Sequence, residues 1–262
     1  MNHRILLYHE VTDFPERTKQ VRRMSPVDSL LTKRFEGQMA LLSDRANTKV
    51  VPADDLFAEG QDRAQKVVLT FDDGFIGNYL FALRILEKYG YKATFFVTVN
   101  NISKDGYMSW DQLGILYRKG HSIQSHTMSH PMLGGCDEGQ ITYELETSRK
   151  VIEDRIGGPV KYLSLPFGSS NERVIHVAKQ LGYQGIFTSL SNTRRRKNEL
   201  YQFGRIHIKD TYPLKTFRGL IDPNPAQLLV TRTTEALKGA VKRIIGLNSY
   251  RRLYRYVYRI EL

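Results

Sequence analysis

Short apolar, β-branched runs alternate along the chain with longer stretches of helical spacing. The first run, Arg4 to Tyr8, predicts a strand with His9 and Glu10 at its C-terminal end. Residues 12–25 are polar and charged and predict a loop. From Ser25-Pro26, the stripe Leu31, Phe35, Met39 and Leu42 predicts a helix. Lys49-Val50-Val51-Pro52 predicts a short strand. A rhythm then begins. Strands are predicted at 67–71, 93–98, 122–126 and 161–165. The first leads to a helical pattern at Leu80, Leu83 and Leu86, ended by Tyr89-Gly90. The second leads to a helix opening near Ser109 and closed by Lys119-Gly120, the third to a helix over roughly 142–155, and the fourth to one over roughly 171–181, closed by Gly182. Strands at 185–189 and 204–208 follow, and with the first they complete a series of about seven. Repeated β/α alternation predicts a parallel sheet, either open or closed as a barrel.

After Asp210 the rhythm stops. Pro213, Pro223 and Pro225 predict an irregular linker over 213–233, following a main domain over 1–212. Residues 234–262 predict a basic amphipathic helical tail. Ala236, Leu237, Ala240, Val241, Ile244 and Ile245 form one stripe, stopped by Gly246. Tyr250, Leu253, Tyr254, Val257 and Tyr258 form another, with Arg251, Arg252, Arg255 and Arg259 on the opposite side.

Composition is that of a globular α/β protein, and no apolar run approaches the length of a membrane span. The apolar stretch within Met1–Glu10 is too short for a secretion leader, and the single Cys136 has no partner for an internal disulfide. Together these predict a cytoplasmic protein, peripheral to the inner face of the membrane if the tail engages lipid. Charge changes the picture further. The chain carries 39 Lys and Arg against 27 acids, a net of +12, and residues 231–262 contribute eight of those cations against two Glu. Such an excess implies an anionic partner. No nucleic-acid motif is present and the tail's aromatics are interleaved with apolar residues, so an anionic membrane surface is favoured over nucleic acid. Arg194-Arg195-Arg196-Lys197 reads as a solvated loop.

The candidate chemistry lies at strand ends. The strand 67–71 stops in Asp72-Asp73-Gly74. Adjacent carboxylates repel, so they call for a cation or for unequal roles, and Gly74 permits a tight turn behind them. Downstream, Ser125-His126-Thr127-Met128-Ser129-His130-Pro131 sets two imidazoles four residues apart, able to converge on one ion if the segment turns like a helix. One carboxylate and two imidazoles suit a divalent metal with open positions and leave the second carboxylate to act as a base. Asp-Gly at a strand end is also an ordinary turn, and such a histidine pair is also found in purely structural roles. His9, Asp72, Asp73, His126 and Pro166 all fall at the C-terminal ends of different predicted strands, the edge where parallel α/β folds gather their sites. His121 and His176 read as helix-end or surface residues, and Trp110 as helix packing.

Three segments carry a family resemblance: Thr70-Phe71-Asp72-Asp73-Gly74, Ser125 to Pro131, and Leu165-Pro166-Phe167-Gly168. They resemble the motifs of polysaccharide deacetylases of the NodB-homology type, carbohydrate esterase family 4, and the likeness extends over roughly residues 4–210. It implies a distorted (β/α) barrel with about seven parallel strands. It implies Asp72 as general base, and Asp73, His126 and His130 as metal ligands. Zinc is the default ion, with cobalt, nickel, iron or manganese also admitted by the mixed donor set. It implies that Pro166, Phe167 and Gly168 form the oxyanion side of the site through the Phe167 N–H. The family often carries an arginine two positions before this proline, paired with the catalytic aspartate. Here that position is Ser164, so either another residue tunes Asp72 or a subgroup dispenses with the arginine. The family's late general-acid histidine is matched only loosely. His207 or Arg205 could serve, with His207 reading equally as a packed strand residue, and His9 is a further candidate from its strand-end position.

The implied activity is metal-dependent removal of an N-acetyl group from an amino sugar of a polysaccharide or glycoconjugate intermediate, the partner being an N-acetylated carbohydrate. A deformylase or O-acetyl esterase acting on a lipid-linked sugar would use the same groups. A non-catalytic glycan-binding member of the fold is the rival class. The tail supplies the first test. Deleting residues 234–262 is expected to abolish salt-sensitive binding to anionic liposomes while leaving a folded domain, since each basic residue near such a surface contributes about 1 kcal/mol. A large fall in melting temperature would show instead that the apolar stripe packs on the domain.

Overall fold

The computed structural model describes residues 3–14, 29–56, 64–189 and 202–222. The Ser25-Pro26 helix start, the Arg194–Lys197 run and the 234–262 tail with its membrane role lie outside the described residues. The elements in chain order are β1 (His3–Tyr8), β2 (Glu10–Thr12), β3 (Ser29–Leu31), α1 (Thr32–Ser43), β4 (Thr48–Val51) and β5 (Gln65–Phe71). A π-turn at Asn78–Ala82 then runs into α2 (Leu83–Lys88), followed by β6 (Thr94–Val97), α3 (Trp110–Arg118), β7 (Ser122–Ser125) and α4 (Glu138–Ile156). The remainder comprises β8 (Tyr162–Ser164), α5 (Glu172–Gln180), β9 (Gly185–Thr188), β10 (Gln202–Gly204), β11 (Ile206–His207) and α6 (Leu214–Ile221).

All pairings in the main sheet are parallel, in the order β10-β9-β8-β7-β6-β5-β1-β11, with β4 on the lower half of β5. β10 and β11 stand at opposite ends of this path, yet only Arg205 separates them in the chain. The sheet therefore closes on itself through that residue. This is the distorted (β/α) barrel that the resemblance implies, with the predicted 204–208 strand broken at Arg205.

Closure buries both faces of strands such as β5, β6 and β9, which is why their sequences read as near-continuous apolar runs rather than alternating ones. The outward residues, among them Leu6, Tyr8, Leu69, Phe71, Phe95, Val97 and Leu163, pack with the helices into one large core. The inward residues Ile5, Val68, Phe96, Tyr162, Phe187 and Phe203 form a second apolar cluster. One inward step further along three of these strands stand Thr70, Ser164 and Arg205, all fully buried. The barrel interior thus turns from apolar to polar toward its C-terminal rim. Three helices start where side chains satisfy their first N–H groups: Ser109 with Gln112 and Asp137 with Gln140 form capping boxes, and Asn171 caps α5.

Several expectations are corrected. Leu31 belongs to β3 and not to the α1 stripe. Leu80 is 56% exposed, because the extra residue in the π-turn rotates it off the face that buries Ala82, Leu83 and Leu86. The third helix of the rhythm begins at Glu138, where the Asp137 capping box starts it, ahead of the apolar pattern. The stretch 213–233 does not open as an irregular linker. After Pro213 it forms α6, whose Phe217 and Ile221 are fully buried and which packs against α1, so the apolar spacing outweighs the proline signal.

His121 is likewise not a surface residue: it is 2% exposed, and its Nδ1 accepts the Ala93 N–H at 3.1 Å. Burial, helped by Lys92, pushes the imidazole pKa down from 6.5 to about 4. Between those values the unfolded chain binds a proton that the native protein refuses. Stability should therefore fall as pH drops through this window, and level off below about 4. His121→Asn, whose Oδ1 can take the place of Nδ1, is expected to show a flatter dependence of melting temperature on pH between 6.5 and 4. An unchanged slope would assign the acid sensitivity to other groups.

Candidate metal centre and active site

Parallel strands bring their C-terminal ends to one rim, and the predicted site residues meet there. β5 delivers Asp72 and Asp73, β7 delivers His126, and the loop after β8 delivers Pro166, Phe167 and Gly168. His130 follows on the His126 loop. The ligand atoms of Asp73, His126 and His130 lie within 4.8 Å of one another. His126 Nε2 is 3.4 Å and His130 Nε2 3.3 Å from Asp73 Oδ1, and His126 Nε2 is 3.9 Å from Asp72 Oδ2.

The two histidines converge, but not through a helical turn. Thr127 and His130 adopt left-handed backbone (φ 68° and 65°), as do Asp73 (φ 74°) and Phe167 (φ 58°). Among the described residues these are four of the five non-glycine positions with positive φ. Each costs about 1–3 kcal/mol and survives only where its surroundings over-determine it. Gly74 is also left-handed (φ 84°), and a Cβ there would press on Ile102 and Val97 at 3.2–3.3 Å. The Thr127 N–H donates to Ser125 Oγ, and the His130 N–H to Thr127 Oγ1. Glu144 of α4 accepts from the Met128 N–H at 2.8 Å, the Ser129 N–H at 2.9 Å and the Ser129 hydroxyl at 2.5 Å.

The donor chemistry fits a divalent cation. The partner of His126 Nδ1, at 2.9 Å, is the Ser164 carbonyl oxygen, which can only accept; Nδ1 therefore carries a proton, and Nε2 is the nitrogen left facing Asp73. An imidazole nitrogen and a carboxylate oxygen at this distance are bridged by a positive centre, a proton or a metal ion. The electrostatics agree. Burial favours neutral forms, yet Asp72 and Asp73 together raise the His126 pKa, and the two imidazoles hold the Asp73 carboxyl well below its ordinary value. That local negative potential suits a metal ion, and the three-residue set leaves coordination positions open.

Asp72 has a different environment. Burial pushes its carboxyl up, but the Arg205 guanidinium, followed by His126, outweighs burial and lowers it. Arg205 donates from Nη1 to Oδ1 and from Nη2 to Oδ2, both at 2.7 Å, in a bidentate fork. It also donates to Ser164 Oγ at 2.8 Å, to Thr70 Oγ1 at 3.2 Å and to the Thr188 carbonyl at 3.1 Å. The Ser164 hydroxyl in turn donates to Asp72 Oδ2 at 2.9 Å. Of the two readings of Ser164, the first holds: another residue reaches Asp72. This corrects Arg205 as a candidate acid, because its guanidinium is committed to the ion pair. The signal in the sequence was a lone arginine in the inward phase of a short strand.

His9 and His207 meet edge to face with ring centroids 5.0 Å apart at the same rim. His9 lies within electrostatic reach of Asp72, and Asn78 fixes its backbone by donating to the His9 carbonyl at 2.8 Å while accepting the Val11 N–H at 3.1 Å. Phe167, 49% exposed, sets its ring edge to face on His130 at 4.8 Å. Glu144 and Asn78 went unrecognised. Glu144 is the one charged residue on the buried face of α4, beside Ile141, Leu145, Ser148 and Ile152, and that was its signal.

Fold and site together define a parallel (β/α) barrel with a carboxylate–imidazole cluster able to hold a metal ion beside a second, ion-paired carboxylate. Residues 59–186 match the family model described as polysaccharide deacetylase, and the chain belongs to that family. It is 30% identical to YxkH of Bacillus subtilis over 179 residues, which cover 67% of this chain and 64% of the relative. It is also 30% identical to the peptidoglycan-N-acetylmuramic acid deacetylase PdaA of Bacillus subtilis over 168 residues, 61% of each chain. The chain thus matches less than two thirds of the length of these relatives. In fold it is similar to the Streptococcus pyogenes deacetylase PplD, with a TM-score of 0.74 at 23% identity over 85% of this chain and 99% of that one.

The Arg205 contact generates a stability prediction. Arg205→Met strands a buried carboxylate and is expected to cost about 3–5 kcal/mol, read from urea midpoints of the metal-free protein. Adding Asp72→Asn removes the stranded charge and should restore most of that loss. Additive effects in the double variant would mean that the two groups are not coupled.

Proposed function

We propose that this protein is a metal-dependent hydrolase that removes an N-acetyl group from an amino sugar of a polysaccharide or glycoconjugate intermediate. The observation that carries the reading is the division of labour between adjacent carboxylates: Asp73 faces two imidazoles, whereas Asp72 is held ionised by Arg205. Asp73, His126 and His130 would hold the ion, with zinc as the default. A divalent cation there acidifies water and polarises a carbonyl oxygen.

The chain's own groups supply the rest. Asp72 accepts the proton of the attacking water, since its carboxylate stands 3.9 Å from the ligand His126 and is held ionised by Arg205 and Ser164. The Phe167 N–H, on the left-handed turn Pro166–Gly168, is the donor assigned to the developing oxyanion. The leaving amine needs a proton, and the His9–His207 pair at the rim is the source assigned here. His9 has a direct claim because it lies within electrostatic reach of Asp72. The exposed Phe167 ring beside His130 offers a flat apolar wall to a sugar ring. Names among the relatives support the substrate class: PdaA deacetylates peptidoglycan N-acetylmuramic acid, and others are chitin deacetylases. The ion pair at Asp72 favours catalysis over a purely glycan-binding role, which would not require an oriented base.

Metal analysis and acetate release from N-acetylglucosamine oligomers test the proposal. His126→Ala is expected to lose bound metal and activity together. Asp72→Asn, whose amide oxygen still accepts from Arg205, should keep the metal but lose on the order of a hundredfold or more in kcat. Stoichiometric metal in His126→Ala, or normal turnover in Asp72→Asn, would overturn the assigned roles.

A further inference from the structure

We infer that Glu144 is a positioning residue for the metal centre, a carboxylate clamp that holds the His126–His130 loop in its ligating shape. The inference rests on the metal reading above. Glu144 is on α4, outside all three motif segments, and touches none of the proposed ligand atoms. It is 7% exposed, on the face of α4 that carries Ile141, Leu145, Ser148 and Ile152. A carboxylate in such a place demands donors, and the loop provides three from two consecutive residues.

The geometry shows what these bonds do. The Met128 and Ser129 N–H groups, following left-handed Thr127, converge on the single oxygen Oε2. Successive N–H groups presented from such a turn form a concave anion-binding nest. Here the anion is part of the protein. Oε1 takes the Ser129 hydroxyl, so both carboxylate oxygens are engaged by the residues midway between the two imidazoles. The other supports of the loop are neutral. Thr127 Oγ1 accepts the His130 N–H, Ser125 Oγ accepts the Thr127 N–H, and the Thr127 and Met128 carbonyls accept from Val99 and Asn100. Among these contacts of the described residues Glu144 supplies the charge, and it ties the middle of the loop to α4. Released from it, left-handed Thr127 and His130 would relax toward ordinary backbone and His130 Nε2 would leave its place 3.3 Å from Asp73. His126, fixed by β7 and the Ser164 carbonyl, would stay.

Zinc and cobalt titrations of the purified full chain test this. Glu144→Ala is expected to raise the zinc Kd about 10–100-fold, the usual effect of removing a group that orients a ligand. The cobalt visible spectrum should change with it, as one imidazole is lost. Glu144→Gln keeps an acceptor for both N–H groups and an amide facing the Ser129 hydroxyl, so it should bind zinc within a few-fold of the parent. Glu146→Ala, on the exposed side of the same helix, should change nothing. Parental zinc affinity in Glu144→Ala, or equal weakening in Glu144→Gln and Glu144→Ala, overturns the clamp. The two readings fail differently. A parent chain that binds no zinc overturns the metal reading and the clamp with it, whereas zinc lost in His126→Ala but retained in Glu144→Ala overturns the clamp alone.

Discussion

The pairing of Arg205 with Asp72 is the constraint around which the barrel is arranged. A fully buried guanidinium takes a charge and five N–H donors out of water, so the charge must be met by a counter-charge and the N–H groups by acceptors. Asp72 supplies the charge, and Thr70, Ser164 and Thr188 supply further acceptors. Those residues come from three other strands, so the polar layer of the interior exists to receive one side chain. Arg205 is also the residue through which the sheet path closes. The same position therefore completes the barrel and orients the carboxylate at its rim. Buried ion pairs are not in general more stabilising than apolar packing of the same volume. The return on this one lies in a fixed, ionised Asp72.

Above that layer the rim is held against backbone preference. Asp73, Thr127, His130 and Phe167 all occupy the left-handed region, where L side chains crowd the backbone. Their positions are enforced from outside the loops. Gly74 has no room for a side chain against Ile102 and Val97, the Ser164 carbonyl fixes the His126 ring, and Glu144 gathers the amides between the histidines. Strained loops on a rigid barrel can hold reacting groups to a fixed geometry, which is the condition the proposed metal and base would require.

Ser164 shows how the two levels join. Its hydroxyl lies between Arg205 and Asp72, and its carbonyl accepts from His126. Where the family motif often places an arginine at this position, the chain has a small residue and draws the guanidinium from the closing strand instead. The electrostatic arrangement at Asp72 is kept while its covalent origin moves to another strand.

The β/α alternation, the parallel sheet and the meeting of four polar residues at one rim were legible in the sequence because they depend on local facts. Closure into a barrel was implied by the family resemblance, and the strand order came only with the structure. Apolar runs alternating with helical stripes dictate parallel β/α units, and parallel strands must end at one rim, so Asp72, Asp73, His126 and His130 had to be neighbours there. Capping boxes and closing glycines mark most helix ends for the same local reason. What the sequence left open was decided by contacts between residues far apart in the chain. Arg205 lies 133 positions from Asp72, and Glu144 serves a loop 15 or 16 positions away from a separate helix. Whether His121 is exposed, whether Leu80 faces the core, and whether residues after Pro213 pack or wander depend on which neighbours arrive to cover them. Periodicity records which face of an element is apolar. It does not record which charged residue, buried against that rule, will find its partner across the barrel, because that pairing exists only once the sheet has closed.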